Sequence, residues 1–176
     1  MRMVHGRGAD SIININNQKN QKKMARKAGD IIEGRDLMLY VNTAADSATP
    51  TYTPQAAATS HTVTYTGETK ERITKDTGNG AYSEKKVTKL GVSIKCEALV
   101  SFGDTAGYDK LLEVFKSREP VKLKYGFTEE ASGDKYEEGM FVITSMEQSS
   151  PAGEDATYSA TFENSGPVET KTKSNS

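Results

Sequence analysis

The sequence predicts a mainly β protein with one flanking α-helix, and three observations lead to that prediction. Apolar residues recur at every second position in several segments of the 176-residue chain, as is typical of half-buried strands. One segment, residues 107–118, instead places its apolar residues with a helical period. No apolar run approaches the roughly 20 residues that a membrane-spanning helix needs. We therefore expect one domain of about six or seven strands and one helix.

The composition argues against a protein that grips nucleic acid. Lys and Arg number 23 and Asp and Glu 24, which leaves a net charge of -1, whereas nucleic-acid binding usually requires a basic excess. The mean hydropathy of -0.65 is low for a globular domain and points to long solvated strands or loose ends. Cys96 is the only cysteine, so no intramolecular disulfide can form, which fits a reducing compartment.

The N-terminal segment, residues 1–23, differs from the rest of the chain. It is rich in Asn, Gln and Lys and has no apolar period, so we expect a flexible extension. Two origins remain open for it. Met24 is the natural start and the preceding residues are upstream DNA read in frame, or the segment is a genuine flexible arm.

The next elements are a short strand, a long loop and a long hairpin. Residues 36–42 form an apolar run that suits a buried strand. Residues 43–60 are built from Ala, Thr, Ser and Pro, which predicts a long loop. Residues 61–75 and 83–98 alternate as two strands around an Asn79-Gly80 turn, since both of those residues tolerate positive φ.

This predicted hairpin has one apolar and one polar face. Leu90, Val92, Ile94 and Cys96 point one way, so Cys96 is expected to be a small buried hydrophobe. The opposite face of the first strand carries hydroxyl and charged side chains, and a polar strand face with long edges favours association. This polar face includes Thr64, Thr66, Glu68, Lys70 and Arg72.

The single predicted helix needs a sheet to cover its apolar face. Tyr108, Leu111, Leu112 and Phe115 fall at positions i, i+3, i+4 and i+7, so they form the predicted packing face. Pro120 ends the helix. A helix this short is marginal alone, and we therefore expect it to dock on the sheet.

Three more strands complete the predicted domain. Residues 121–125 and 140–147 form two of them, separated by a charged loop at 127–139. Residues 156–163 form the third, with Ala156, Tyr158, Ala160 and Phe162 facing inward. We place the β domain at residues 24–168 and a flexible tail at 169–176.

The sequence offers no convincing catalytic, metal or cofactor site. His5 and His61 are the only histidines and do not have metal-ligand spacing. The acidic pairs Glu129-Glu130 and Glu137-Glu138 lack the spacing of a calcium loop and are expected to be solvated. No phosphate-binding glycine loop or nucleophile motif is present. We therefore predict a protein that is not an enzyme and needs no cofactor.

Four stretches, in this order, resemble the major tail tube proteins of long-tailed phages and prophages. They are EGRDLMLYVN, ATSHTVTYTGETKERITKDTGNGAYSEKKVTKLGVSIKCEALVS, GYDKLLEVFKSREPVKLKYG and SPAGEDATYSATFENSGPV. Together they span roughly residues 30–168, and their order and spacing carry the resemblance more than any single motif.

The resemblance implies a β-sandwich or barrel of two roughly orthogonal sheets with the helix on its flank. It implies hexameric rings whose strands join around a channel, stacked into a tube through which genome DNA passes without specific binding. Tape-measure and terminator or tip proteins are the implied partners. The implied location is the virion tail, after assembly in the bacterial host cytoplasm. Tubes of contractile tails and secretion systems share the fold, and membership among these variants stays open.

Roles within such a tube follow for particular segments. The hairpin of 61–75 with 83–98 is the candidate for lumen and ring contacts. The candidate contact residues on it are Thr64, Thr66, Glu68, Lys70 and Arg72. Loop 43–60 and both termini are candidates for contacts between rings. The resemblance implies an acidic lumen, whereas this hairpin carries both signs of charge. A second class of function also stays open, namely a monomeric β-sandwich module that binds a ligand such as carbohydrate.

Overall fold

The computed structural model describes residue 26 and residues 29–44, 49–72 and 84–174. Within this part of the chain, seven strands form one antiparallel sheet in the order β2-β1-β5-β6-β7-β4-β3. A mainly β fold with one helix is thus confirmed. The strands are β1 (Leu37–Asn42), β2 (Tyr52–Pro54), β3 (Ala58–Arg72), β4 (Glu84–Leu99), β5 (Val121–Phe127), β6 (Lys135–Ser149) and β7 (Thr157–Thr172), and the helix α1 is Tyr108–Ser117.

The core lies on one face of this sheet, where strand alternation places the apolar side chains. Burial of these side chains provides the main driving force for the fold, at roughly 25 cal/mol per Å² of apolar surface. The strand predicted at 156–163 was expected to face Ala156, Tyr158, Ala160 and Phe162 inward, and the last three of these are buried. Cys96 is buried as expected. The core includes Leu39, Val41, Val92, Ile94, Cys96, Ala98, Leu111, Leu123, Phe141, Tyr158, Ala160 and Phe162.

The expected two layers are two parts of one continuous sheet. The four-strand layer consists of β3, β4, residues 157–163 of β7 and residues 142–149 of β6. The second layer consists of β1, β2, β5 and the remaining halves of β6 and β7. The rings of His61 on β3 and Tyr125 on β5 lie 6.3 Å apart, so the sheet curls until its layers meet across the core.

The layers separate at a kink in β7. The Oδ1 atom of Asn164 accepts a hydrogen bond from the backbone N–H of Val92 at 2.8 Å, in place of a strand partner. Its Nδ2 atom donates to the carbonyl of Gly166, whose φ of 114° lies in a region that residues with a side chain rarely adopt. Beyond this kink, residues 84–92 of β4 and 164–172 of β7 diverge.

Helix α1 covers the core beside β6. Leu111 is fully buried, and Tyr108 and Val114 pack against the core cluster. The ring of Tyr108 lies edge-on to that of Tyr158, with 5.2 Å between the centroids. The helix therefore docks on the sheet, as its length requires.

Three segments that were expected to be irregular contain strands. Loop 43–60 contains β2 and the start of β3, because Pro54 lies on an edge strand where its missing N–H costs no ladder bond. The charged loop 127–139 ends where β6 begins at Lys135. The prediction of a flexible tail at 169–176 is wrong for residues 169–172, because β7 pairs with β6 up to Thr172. Predictions for residues 1–23, Met24 and the Asn79-Gly80 turn lie outside the described residues.

Candidate assembly surfaces

The face of the four-strand layer opposite the core is polar on all four strands except at Val142 of β6. Strand register aligns its residues in rows, one of which runs from Thr62 through Lys95 and Thr161 to Ser145. We call this surface the threonine face. It contains the predicted contact residues Thr64, Thr66, Glu68 and Lys70, all exposed, and Arg72 holds the next matching register position of β3.

Charges on the threonine face are mixed in sign. Glu68 and Lys89 lie opposite each other, with 3.4 Å between Oε2 and Nζ, and Lys95 and Glu97 are 3.2 Å apart. Both pairs are well exposed, so each contributes little to stability. Their balance leaves a hydrated surface without a strong field of either sign.

The end of the β3–β4 hairpin extends beyond the rest of the sheet. We call residues 66–72 and 84–92 the arm, and eight strand steps from Val92 to Glu84 span about 27 Å. The core face of the arm carries Leu90, which is 78% exposed, and Val87, which lies beside Gly67 on the same face. These two exposed apolar side chains make the projecting hairpin a candidate surface for association.

Both edges of the four-strand layer are open within the described chain. β3 is the terminal strand of the sheet, so its outer edge has no strand partner among the described residues. At the opposite edge, β5 pairs with β6 only at residues 137–141 of β6. Residues 142–149 of β6 therefore also lack a partner on that side within the part of the chain that the structure describes.

A buried polar chain links the start of β3 to the core of β7. Gln55 is buried, and its Nε2 donates to the hydroxyl of Tyr158 at 3.2 Å, while its Oε1 lies 3.1 Å from Nε2 of His61. Burial lowers the pKa of His61 below its ordinary value. His61 is thus held by Gln55 at the start of β3.

Acidification should weaken the fold through His61. Because its pKa is lower in the folded chain, the unfolded chain takes up the proton first, so stability is fully present above the unfolded pKa near 6.5 and falls as the pH drops below it. We expect the urea midpoint to fall between about pH 7.5 and about pH 5.5, a window above most carboxyl titration. His61→Gln should flatten this slope, and an unchanged slope in that variant would contradict the assignment.

An ionic cluster on the second layer was not predicted from the sequence. Burial by itself would raise the pKa of Glu138, but hydrogen bonds and charges from Lys122 and Lys171 outweigh it, and the pKa lies below its usual value. Lys124 lies against Glu130 and 4.4 Å from the ring centroid of Tyr136. The expected solvated carboxylates at positions 130 and 138 are therefore partners of lysines on neighbouring strands.

The four residues of the predicted helix packing face are buried to different extents in the structure. Leu111 and Tyr108 contact the core, Leu112 is half-buried, and Phe115 remains 37% exposed. Val114, which the prediction omitted, packs on the core instead. Its position i+6 from Tyr108 lies on the same side of the helix as i+3, a signal that the sequence contained.

The described part of the chain contains no cluster of side chains suited to bind a metal ion. Among residue 26 and residues 29–44, 49–72 and 84–174, no group of three or more His, Cys, Asp or Glu side chains is placed to hold a metal ion. None of the helices in these ranges has the length and apolar character to cross a membrane. The distinctive surfaces are the threonine face, the arm and the open edges.

The described chain is thus a β domain whose open strand edges and exposed arm are features that favour association. The model of the phage tail tube protein family matches residues 31–170. The chain belongs to this family. Of the two functions that the sequence left open, the family assignment supports the tail tube subunit. No curated protein sequence matches the chain.

Solved tail tube structures share the fold. The chain resembles the tail of an empty gene transfer agent particle refined with C6 symmetry, at 15% identity and a TM-score of 0.66, covering 80% of this chain and 99% of that one. It resembles the SPP1 tail tube at 18% identity and a TM-score of 0.64, covering 82% of this chain and 81% of that one. It resembles a sheath-tube complex of an extracellular contractile injection system at 15% identity and a TM-score of 0.57, covering 83% of this chain and 95% of that one.

Proposed function

We propose that six copies of this chain close into a ring and that stacked rings form a tail tube whose channel conducts genome DNA. The observation that carries this proposal is the polar four-strand layer, neither edge of which has a strand partner among the described residues. A sheet with two open edges hides them by joining to further copies until it closes on itself. A closed ring leaves no edge exposed.

The strand directions suit such a ring. All neighbouring strands in the sheet are antiparallel, so β6 and β4 run one way and β7 and β3 run the other. A rotation axis along the strands keeps every copy in the same orientation. β3 of one copy therefore meets β6 of the next as an antiparallel partner, and the contact is heterologous, as ring closure requires.

Six-fold symmetry is supported by the C6 symmetry given for the gene transfer agent tail, which shares the fold. The family assignment supports the tube itself. Terminator or cap and tip proteins would close the ends of the tube, and a tape-measure protein would occupy it during assembly in the host cytoplasm. A tube terminating cap is named for one similar assembly, the anti-feeding prophage.

The threonine face would line the channel. Hydroxyl groups and balanced charges hydrate a surface without binding phosphates through an excess of lysine and arginine. Each such phosphate contact adds affinity, and many of them would hold the DNA back. A conduit of this kind requires no catalytic residue, metal or cofactor, and we propose none.

Site-directed labelling tests the direction of the threonine face. A cysteine in place of Thr64 should react with a small maleimide in both monomer and tube, but react with a bulky polymer-linked maleimide only in the monomer. Cys96 is buried and should contribute little background.

Glu113→Cys provides the matched control, because Glu113 is exposed on the helix and lies outside the proposed channel. It should react with the bulky reagent at the same rate in both states. Equal rates for Thr64→Cys in tube and monomer would place the threonine face outside the channel and overturn this part of the proposal.

A further inference from the structure

Two apolar surfaces of the described chain lack a cover, and they lie on the same side of the sheet. The first is the arm patch, formed by Leu90 and Val87 on the core face of the arm. The second is the helix groove, an open groove between the end of α1 and the first free residues of β6. It is lined by Val114, Phe115, Lys116, Arg118, Glu119, Val142 and Ile143.

We infer that the arm patch of one subunit docks into the helix groove of the neighbouring copy in the same ring. The inference rests on the proposed ring and names its main side-chain contact. Leu90 and Val87 would pack between Phe115 on the helix and Ile143 on β6. Sheet faces are continuous across a strand pairing, so the core face of the arm meets the core face of β6, from which Ile143 lines the groove.

Strand register supports this match. Thr64, Ser93, Glu163 and Val142 form one row perpendicular to the strands, and Leu90 lies three residues along β4 from Ser93. Strands of closed barrels tilt by about 35–45° from the barrel axis. A row perpendicular to the strands therefore drifts along the axis by about one residue per strand, or about four to six residues across the four strands of one copy. The β3 strand of the next copy is displaced along β6 by this amount.

Only one direction of this shift is open. A shift toward lower residue numbers of β6 would place the neighbour's β3 against residues 137–141, which already pair with β5. A shift toward Ser149 places it on the free edge. Without a shift, the row of Leu90 lies three residues below Val142, at about residue 139 of β6. A shift of about four to six residues brings this row to about residues 143–145, where Ile143 lines the groove.

Both rims of the proposed contact carry charges of both signs. Glu71 and Lys85 lie opposite each other beyond Val87, on the same face of the arm. The groove rim carries Lys116, Arg118 and Glu119. A mixed pair therefore meets a mixed rim, which fixes orientation more than it adds affinity.

Disulfide cross-linking tests the contact in the full chain. Leu90→Cys combined with Phe115→Cys, assembled and then oxidised under mild conditions, should give a ladder of covalent multimers on non-reducing gels that ends at the hexamer. Each single variant should give dimers at most. A matched double variant, Lys89→Cys with Phe115→Cys, should give no ladder, because Lys89 belongs to the threonine face.

The outcomes separate the inference from the proposed function. If electron microscopy shows rings or tubes but the gel shows no ladder, the docking contact is wrong and the proposed tail tube function is unaffected. A ladder that continues past the hexamer overturns the contact within a ring and indicates contact between rings. An unsubstituted chain that stays unassembled under the same conditions overturns both.

Discussion

Replacing Leu90 with aspartate should leave the subunit folded and abolish its assembly into rings and tubes. Leu90 is 78% exposed in the described chain, and surface substitutions of this kind usually change folding free energy by less than about 0.5 kcal/mol. Placed in an apolar interface, the carboxylate would be desolvated without a designed partner, which costs several kcal/mol. Sedimentation velocity should therefore show a monomer, and electron microscopy should show no rings.

Leu90→Met is the control for this prediction, because it keeps an apolar side chain of similar volume and should preserve assembly. Thermal melting of both variants checks that the fold is retained. Tubes of normal appearance from Leu90→Asp would show that the arm patch stays exposed in the assembly.

Leu111→Ala should destabilise the subunit by about 2–5 kcal/mol, because Leu111 is fully buried where α1 meets the core and its removal leaves a cavity. Its neighbour Leu112 is only half-buried, so Leu112→Ala should cost clearly less. The free energy of unfolding is best measured by urea in the Leu90→Asp background, since assembly would otherwise add to apparent stability. Equal costs for the two alanine variants would contradict the observed orientation of the helix.

Strand alternation allowed most of the fold to be predicted from the sequence. The faces of the hairpin and of β7 follow from a period of two, so the position of Thr64, Glu68 and Lys70 on one polar face was accessible without the structure. The helix was accessible for the same reason, through its period of about 3.6 residues and the proline that follows it.

The features that escaped prediction depend on partners distant in the chain. β2 contains Pro54 and pairs only at an edge, which composition alone does not distinguish from a loop. The second half of β7 is polar, and it is held by pairing with β6 and by the ion pair of Lys171 with Glu138. The open edges and the exposed position of Leu90 also depend on which strands are absent beside them, and a single sequence does not contain that information.

The central claim is that this chain closes a ring through β3 and β6 with the threonine face inside. Cryo-electron microscopy of tubes assembled from the purified protein tests it most directly, at a resolution that traces strands. We predict six subunits per ring, β3 of each paired antiparallel with residues 142–149 of the neighbour's β6, and Thr64 and Glu68 facing the channel. A tube in which the core face of the arm lines the channel, or a ring closed without these two edges, would contradict the account.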